Sequence, residues 1–311
     1  PQAAARPAAE SRRRTGQDRG GPKTAASWVN ARRRTAHRQR QGRAQPIQRR
    51  HQKIVEETPS PAVNPALRQK MGLAAVAAAR ASGYVNAGTV EFILGPDGDF
   101  YFLEVNTRLQ VEHPITEMVA GIDIVRQQIC IAAGHGLKID QADITGRGHA
   151  IECRIYAEDP QDNFMPCPGR IVLHEEPSGP GVRNDCGVYA GFEIPMDYDP
   201  ILSKLVVWAE SRPEAIARMI RALETYTIAG VKTSIAFLID VLSAPPFERG
   251  ETFTDFIPAH FGDWKPGSRN DDWAAIAWVA DSLMVKQRPT TGVSARQMHP
   301  SPWTSLGAWR Q

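Results

Sequence analysis

Apolar and polar positions change period several times along this chain of 311 residues. Leu67, Met71, Leu73 and Ala75 begin a helical apolar face. Asn64 before Pro65 supplies an N-cap with proline in the first turn, and Gly83 supplies the stop. The pattern then turns strand-like in Thr89-Val90-Glu91-Phe92-Ile93-Leu94 and again in Phe100-Tyr101-Phe102-Leu103-Glu104. Between them lies Gly95-Pro96-Asp97-Gly98-Asp99, and Asp-Gly in a short connection signals a hairpin. Pro114 is expected to break the strand that continues beyond Glu104. Ile124, Ile129 and Ile131 have the spacing of a helix over 123–133, closed by Gly134 or Gly136. Residues 149–205, punctuated by five glycines from Gly169 to Gly191, read as β-rich. Pro213 opens a helix bearing Ile216, Met219, Ile220 and Leu223, and a last helix is expected over 234–242. Mixed strands and helices of this kind predict an α+β fold.

The first 46 residues follow neither period. Arg, Ala, Gln, Gly and Pro dominate them, and so little apolar surface cannot offset the entropy of ordering. A disordered arm is therefore expected. The overall charge of +3 conceals this asymmetry. Residues 1–47 hold twelve Lys/Arg against two acids, a net of +10, which leaves −7 for the remainder. Arginines cluster at 12–14, at 32–34 and at Arg38 with Arg40, a composition that attracts phosphates. Trp28 alone interleaves with them, so no stacking platform exists and a nucleic-acid partner is not expected. The arm joins the patterned chain abruptly at Ile47 or Gln48, as a shifted reading frame would.

No run approaches the ~20 apolar residues of a membrane span, and no apolar segment of signal-peptide type follows the basic start. Cys130, Cys153, Cys167 and Cys186 form no CxxC pair and lack zinc-site spacing. Reduced thiols and a cytoplasmic location are the expectation.

The chemistry concentrates in Glu104-Val105-Asn106-Thr107-Arg108-Leu109-Gln110-Val111-Glu112-His113-Pro114. Glu104 and Asn106 are two apart and share a strand face, offering the hard oxygen ligands that Mg²⁺ prefers. Arg108, Gln110 and Glu112 are expected to continue that alternation, adding an anion clamp and a base. If Asp97 and Gly98 form a two-residue turn, Glu91 falls directly opposite Glu104. Facing like charges cost up to about 1 kcal/mol, and a divalent cation between them reverses the sign. The plainer alternatives are a solvated sheet face for both glutamates and a surface ion pair between Arg108 and Glu112. For Arg154 in its apolar strand, the plainer alternative is structural pairing near Glu152 or with Asp159. His113, just before a proline, reads as a structural hydrogen-bonding histidine.

The run EVNTRLQVEHPITE (104–117) closely resembles the metal and bicarbonate segment of biotin carboxylase, an ATP-grasp ligase. Gln48-Arg49-Arg50-His51-Gln52-Lys53 followed by Ile54-Val55-Glu56-Glu57 is similar to that family's nucleotide-side segment. His149-Ala150-Ile151-Glu152-Cys153-Arg154-Ile155 resembles the opening of its C-terminal domain. Tyr198-Asp199-Pro200 with Lys204, then Gly230-Val231-Lys232-Thr233, match later in the same order. The likeness runs over residues 46–260. It implies the second half of an ATP-grasp domain over 47–146 and the family's C-terminal domain over 147–262. Residues 263–311 then form a linker and the start of a connecting region. There Ser301-Pro302-Trp303 and Gly307-Ala308-Trp309-Arg310 resemble acyl-CoA carboxylase α subunits of methylcrotonyl-CoA or geranyl-CoA type.

The resemblance also implies roles. Glu91, Glu104 and Asn106 would hold Mg²⁺ or Mn²⁺, while Gln48, His51, Glu91 and Glu104 would serve the ATP nucleotide. Lys53, Arg108, Gln110 and the Val111 N–H would cradle bicarbonate. Glu112 would be the base, and Arg154 would stabilise the biotin enolate. Biotin would arrive as substrate on a carrier domain and pass its carboxyl group to a carboxyltransferase subunit, within a homo-oligomer. The family's N-terminal α/β domain and glycine-rich phosphate loop find no counterpart, so the chain by itself is expected to be a poor catalyst carrying no biotin of its own. A carbamoyl-phosphate-forming ligase shares the QVEHP run, and the GHAIECRI segment favours biotin carboxylase over it. A non-catalytic relic tethered to nucleic acid by its basic arm is the remaining alternative.

Overall fold

A computed structural model of the protein describes residues 28–31, 47–49, 52–95, 97–267 and 280, the first two segments as backbone only. The chain divides into two units, Pro1–Lys265 and Pro266–Gln311. Nearly all described residues belong to the first. The Trp-containing motif lies outside the described residues, as does most of the basic arm. Within that arm Trp28–Ala31 forms a short strand.

Strands β1 (Trp28–Ala31), β2 (Ile47–Arg49) and β3 (Gln52–Thr58) lead to helix α1 (Pro65–Ala81). Strands β4 (Thr89–Leu94) and β5 (Phe100–Asn106) follow, then α2 (His113–Ala120) and α3 (Ile124–Ala132). The β-rich stretch opens with β6 (His149–Tyr156), β7 (Glu158–Asp159) and β8 (Met165–Pro166). It continues through β9 (Gly169–Arg170), β10 (Leu173–Glu175), β11 (Val182–Cys186), β12 (Glu193–Ile194) and β13 (Ile201–Ala209). Helix α4 (Arg212–Thr225), strand β14 (Thr227–Ala229) and helices α5 (Ile235–Leu242), α6 (Pro245–Glu248) and α7 (Phe256–Phe261) complete it. The helix expected to be last is thus followed by two shorter ones, each too brief to display a 3.6-residue period.

An antiparallel sheet in the order β11-β13-β6-β3-β2 forms the centre. Its middle strand β6 alternates in chemistry, with Ile151, Cys153 and Ile155 on one face and Glu152 and Arg154 on the other. The apolar face packs on α4 and α5 through Leu205, Val207, Met219, Leu223, Phe237 and Leu238. The charged face is not solvated, because α2 covers it with Ile115 against Ala150 and Val206. Buried charge of this kind, rather than the apolar core, marks where chemistry is carried.

A second sheet, β1-β4-β5, pairs the hairpin β4–β5 with β1 parallel to β4. Helix α1 packs Met71 and Ala75 against Val90 and Phe92 of this hairpin. Its start is set as the sequence predicts, with the Asn64 Oδ1 accepting from the Leu67 N–H at 2.9 Å. Leu73 does not share the apolar face and is 65 % exposed, since Leu67, Met71 and Ala75 follow the four-residue row and Leu73 lies off it. Ile129 of α3 is likewise exposed, while Ile124 is buried. No helix among the described residues is long and apolar enough to cross a membrane.

Candidate functional site

The hairpin brings Glu91 and Glu104 directly opposite each other, by a different route from the two-residue turn expected. Leu94 pairs with Phe100 and Phe92 with Phe102, so three residues separate Gly95 from Asp99. The Gly95 N–H donates to the Asp99 carbonyl at 2.6 Å, and Gly98 takes φ +88°, open to glycine without strain. This loop moves the register by one, and a bulge between Phe92 and Glu91 moves it back, with Leu103 as the extra residue. The two carboxylates are held together by donors. The Asn106 Nδ2 donates to the Oε1 of Glu91 at 3.0 Å and to the Oε1 of Glu104 at 3.1 Å. The Gln110 Nε2 donates to the same Glu91 oxygen at 2.7 Å, and the Lys53 Nζ lies 3.6 Å from it. A half-turn of the Asn106 amide would present Oδ1 beside the two carboxylates. That set of hard oxygens fits Mg²⁺ or Mn²⁺.

Beyond Asn106 the strand stops, so the expected alternation does not reach Arg108, Gln110 and Glu112. Residues 107–112 run through turns into α2, and Pro114 lies in that helix's first turn instead of breaking a strand. The three side chains therefore diverge. Arg108 is exposed, with its Nη1 donating to the Leu109 carbonyl at 3.2 Å, whereas Gln110 and Glu112 are buried. The His113 Nδ1 lies 2.7 Å from the Gln110 carbonyl, the structural hydrogen bond expected of this residue. The Val111 carbonyl accepts from the Lys204 Nζ at 3.2 Å.

Glu112 is the centre of the buried charges. Its carboxylate pairs with the Lys53 ammonium through Oε1 and with the Arg154 Nη2 at 2.9 Å through Oε2. Lys53 reaches it because a bulge in β3 turns both Ile54 and Val55 toward the core, leaving Lys53 and Glu56 on the charged face. Arg154 also donates to Glu56, directly opposite Glu152, so the expected pairing near Glu152 is present beside the Glu112 contact, whereas Asp159 takes Lys232. Burial pushes the Glu112 carboxyl up, but Lys53 and Arg154 more than offset it and hold it below the ordinary carboxylate range. Burial raises Glu56 despite Arg154. Glu152, opposite Glu56 across β3 and β6, is raised far further by burial and by the Glu56 charge. Neither of its oxygens has a hydrogen-bond partner among the described residues. Burial therefore favours its protonated form.

The structure thus gathers Lys53, Glu91, Glu104, Asn106, Gln110, Glu112 and Arg154 into one connected group. Arg108 stays at the surface. Gln48 pairs with Lys53 along β2 and β3 through its backbone, and His51 lies outside the described residues. Sequence reasoning missed Glu56 and Glu152. Their signal was present as charges next to apolar residues, Glu56 after Ile54 and Val55, and Glu152 between Ile151 and Cys153.

Two family models divide the patterned part of the chain. Residues 41–140 match the carbamoyl-phosphate synthase L chain ATP binding domain, and residues 152–259 match the biotin carboxylase C-terminal domain. Together the two matches define part of an ATP-grasp chain of biotin carboxylase type. A pyruvate carboxylase subunit of Methanothermobacter thermautotrophicus is 56 % identical over 211 residues, 68 % of this chain and 43 % of that protein. The mitochondrial methylcrotonoyl-CoA carboxylase alpha subunit of Mus musculus is 46 % identical over 254 residues, 81 % of this chain and 35 % of that protein. Among solved structures, the biotin carboxylase domain dimer of Hydrogenobacter thermophilus 2-oxoglutarate carboxylase, in complex with MgADP, ADP and bicarbonate, superposes with a TM-score of 0.70. It is 45 % identical, and the match covers 72 % of this chain and 49 % of that one. The chain belongs to the biotin carboxylase family and spans about half the length, or less, of these relatives.

Proposed function

We propose that this protein carries out ATP-dependent carboxylation of biotin with bicarbonate, as the biotin carboxylase part of an acyl-CoA carboxylase. The observation that carries the proposal is the buried Glu112 carboxylate, held ionised between Lys53 and Arg154 beside the paired glutamates of the hairpin. An ionised, water-excluded carboxylate flanked by two cations is a base whose strength responds to an incoming anion. As bicarbonate enters, Lys53 shares its ammonium with the new anion, and Glu112, less neutralised, becomes basic enough to take the bicarbonate proton. The Gln110 side chain and the Val111 N–H orient the anion, and Arg108 closes on it from the surface with a planar fork. Arg154 then faces the oxygen of deprotonated biotin and stabilises its negative charge.

Glu91, Glu104 and Asn106 are the residues that would hold Mg²⁺ or Mn²⁺. Such an ion would supply positive charge to offset that of the ATP phosphates. Gln48 and His51, with Glu91 and Glu104, serve the nucleotide in this reading. The functional halves are residues 47–146 and 147–262, with 263–311 leading to a connecting region. The carboxyl acceptor is biotin on a carrier domain, the next recipient is a carboxyltransferase subunit, and the assembly is a homo-oligomer. The four free thiols fit a reducing, cytoplasmic setting. The C-terminal domain match supports this reading over carbamoyl phosphate synthesis.

The test is fixation of labelled bicarbonate into biotin with Mg-ATP. It is run on the chain and on a chimera in which residues 47–262 replace the matching half of the Methanothermobacter pyruvate carboxylase subunit. Carboxybiotin formation by the chimera, lost on Glu112→Gln, is the expected result. A folded chimera that binds ATP yet makes no carboxybiotin overturns the proposal.

A further inference from the structure

We propose that His174, Glu176 and Cys186 form a binding site for a zinc-type divalent cation. None of these residues belongs to the carboxylation machinery, and their spacing along the chain gives no metal motif. The fold alone brings them together. His174 lies on β10, Glu176 just after it, and Cys186 ends β11. One ligand atom from each lies within 4.8 Å of the other two.

The Cys186 Sγ is 3.5 Å from the His174 Nε2. A tetrahedral zinc with Zn–S near 2.3 Å and Zn–N near 2.0 Å separates those two atoms by about 3.5 Å. The pair therefore has the separation that zinc requires without rearrangement. The Glu176 Oε1 is 3.9 Å from the opposite ring nitrogen, Nδ1, so this carboxylate has to swing toward Nε2 to join an ion held there. The imidazole is buried at 5 % exposure and the Glu176 side chain is 44 % exposed, so the site has a fixed floor and a wet mouth through which an ion can enter.

Surrounding groups are arranged to orient the ligands. The Asn184 Nδ2 donates to the Glu176 Oε2 at 2.8 Å, and its Oδ1 is buried with no hydrogen-bond partner among the described residues. The Tyr226 hydroxyl lies 3.4 Å from the His174 Nε2, 3.7 Å from the Cys186 Sγ and 2.9 Å from the Ser203 Oγ. A phenol so placed can occupy, or hydrogen-bond a water in, the fourth coordination position.

The charge also closes. Thiolate, carboxylate and neutral imidazole sum to −2, which a divalent cation neutralises. The thiol proton, held toward the Val188 carbonyl at 3.4 Å, leaves to solvent on metal binding. Sulfur and imidazole ligands favour zinc or cobalt over the magnesium that suits the hairpin oxygens.

The experiment uses the 311-residue chain, stripped with chelator and then titrated with ZnCl₂ by calorimetry and with CoCl₂ by absorption. One equivalent of zinc and a thiolate-to-cobalt charge-transfer band with tetrahedral d–d intensity are expected. Cys186→Ser abolishes the band, and both Cys186→Ser and His174→Gln weaken zinc binding by about 100-fold, while Cys130→Ser changes neither. Should the site variants fail to fold, the triple variant Cys130→Ser, Cys153→Ala, Cys167→Ser leaves Cys186 as the one thiol, and its cobalt band decides. Absence of stoichiometric zinc, zinc binding unchanged in both site variants, or loss of the band in the triple variant overturns the proposal.

Discussion

Lys53 and Glu112 stand 59 residues apart in the chain and form a buried ion pair between β3 and the turn that opens α2. The pair costs desolvation on both sides, and its return depends on both partners being present. Lys53→Met is expected to destabilise the protein by about 3–5 kcal/mol, because an uncompensated carboxylate stays buried with Arg154 alone. Adding Glu112→Met should recover a large part of that loss. Urea unfolding of the two singles and the double measures the coupling, and simple additivity would show that the pair contributes nothing.

A second buried cluster sits at the far end of β3. The Glu57 carboxylate accepts from the Arg212 Nε at 2.7 Å and lies 2.8 Å from the His149 Nε2. Burial raises this carboxyl, but the hydrogen bonds from His149 and Arg212 and the Arg212 charge bring it below the ordinary range. A depressed folded pKa gives stability that is present above the unfolded value near 4.3 and is lost as pH falls through the folded one. Glu57→Gln should therefore cost about 2 kcal/mol at pH 7, and the gap should narrow as pH falls below the ordinary carboxylate range. Thermal melts across pH test this, and a constant gap at every pH would refute it.

Glu152 carries the opposite sign. Its folded pKa is raised by burial and by Glu56, so the stability linked to it is full below the unfolded carboxylate value and declines as pH rises toward the folded one. Glu152→Gln keeps the shape and removes the titration. The variant should be more stable than the parent by about 1–2 kcal/mol at pH 8, with the difference vanishing near pH 4. Denaturant midpoints at the two pH values are the measurement.

Two glycines with positive φ should respond unequally to alanine. Gly98, at φ +88°, has nothing within 4 Å of the Cβ position, so Gly98→Ala carries only a backbone cost of about 1 kcal/mol. Gly148, at φ +67°, would press a Cβ against the Ala209 carbonyl and to 2.7 Å from the Trp208 ring. Gly148→Ala should cost at least about 3 kcal/mol, because it forces apart the start of β6, the strand that carries Arg154. Equal melting temperatures for the two variants would contradict this.

Local signals in the chain were legible where the competition was local. Asn64 caps α1, the helix read over 123–133 is α3, and Pro213 lies in the first turn of α4. The opposition of Glu91 and Glu104 was also read correctly, although through a turn one residue too short that the Leu103 bulge compensates. Pro114 misled, because proline suits the first turn of a helix as well as the end of a strand. Arg108, Gln110 and Glu112 do not share a strand face, because the chain leaves β5 at Asn106 and strand alternation ends there.

The sequence by itself determined which groups are available and which segments become helix or strand, since caps, prolines and apolar periods act over a few residues. It also marked the family through the order of its motifs. Tertiary structure alone decided who meets whom. It placed Lys53 and Arg154 on the two oxygens of Glu112, left Glu152 without a hydrogen-bond partner among the described residues, and drew His174 to Cys186. Charge and protonation depend on burial and on distances of a few ångströms across the fold, and neither is written in the spacing of residues along a chain.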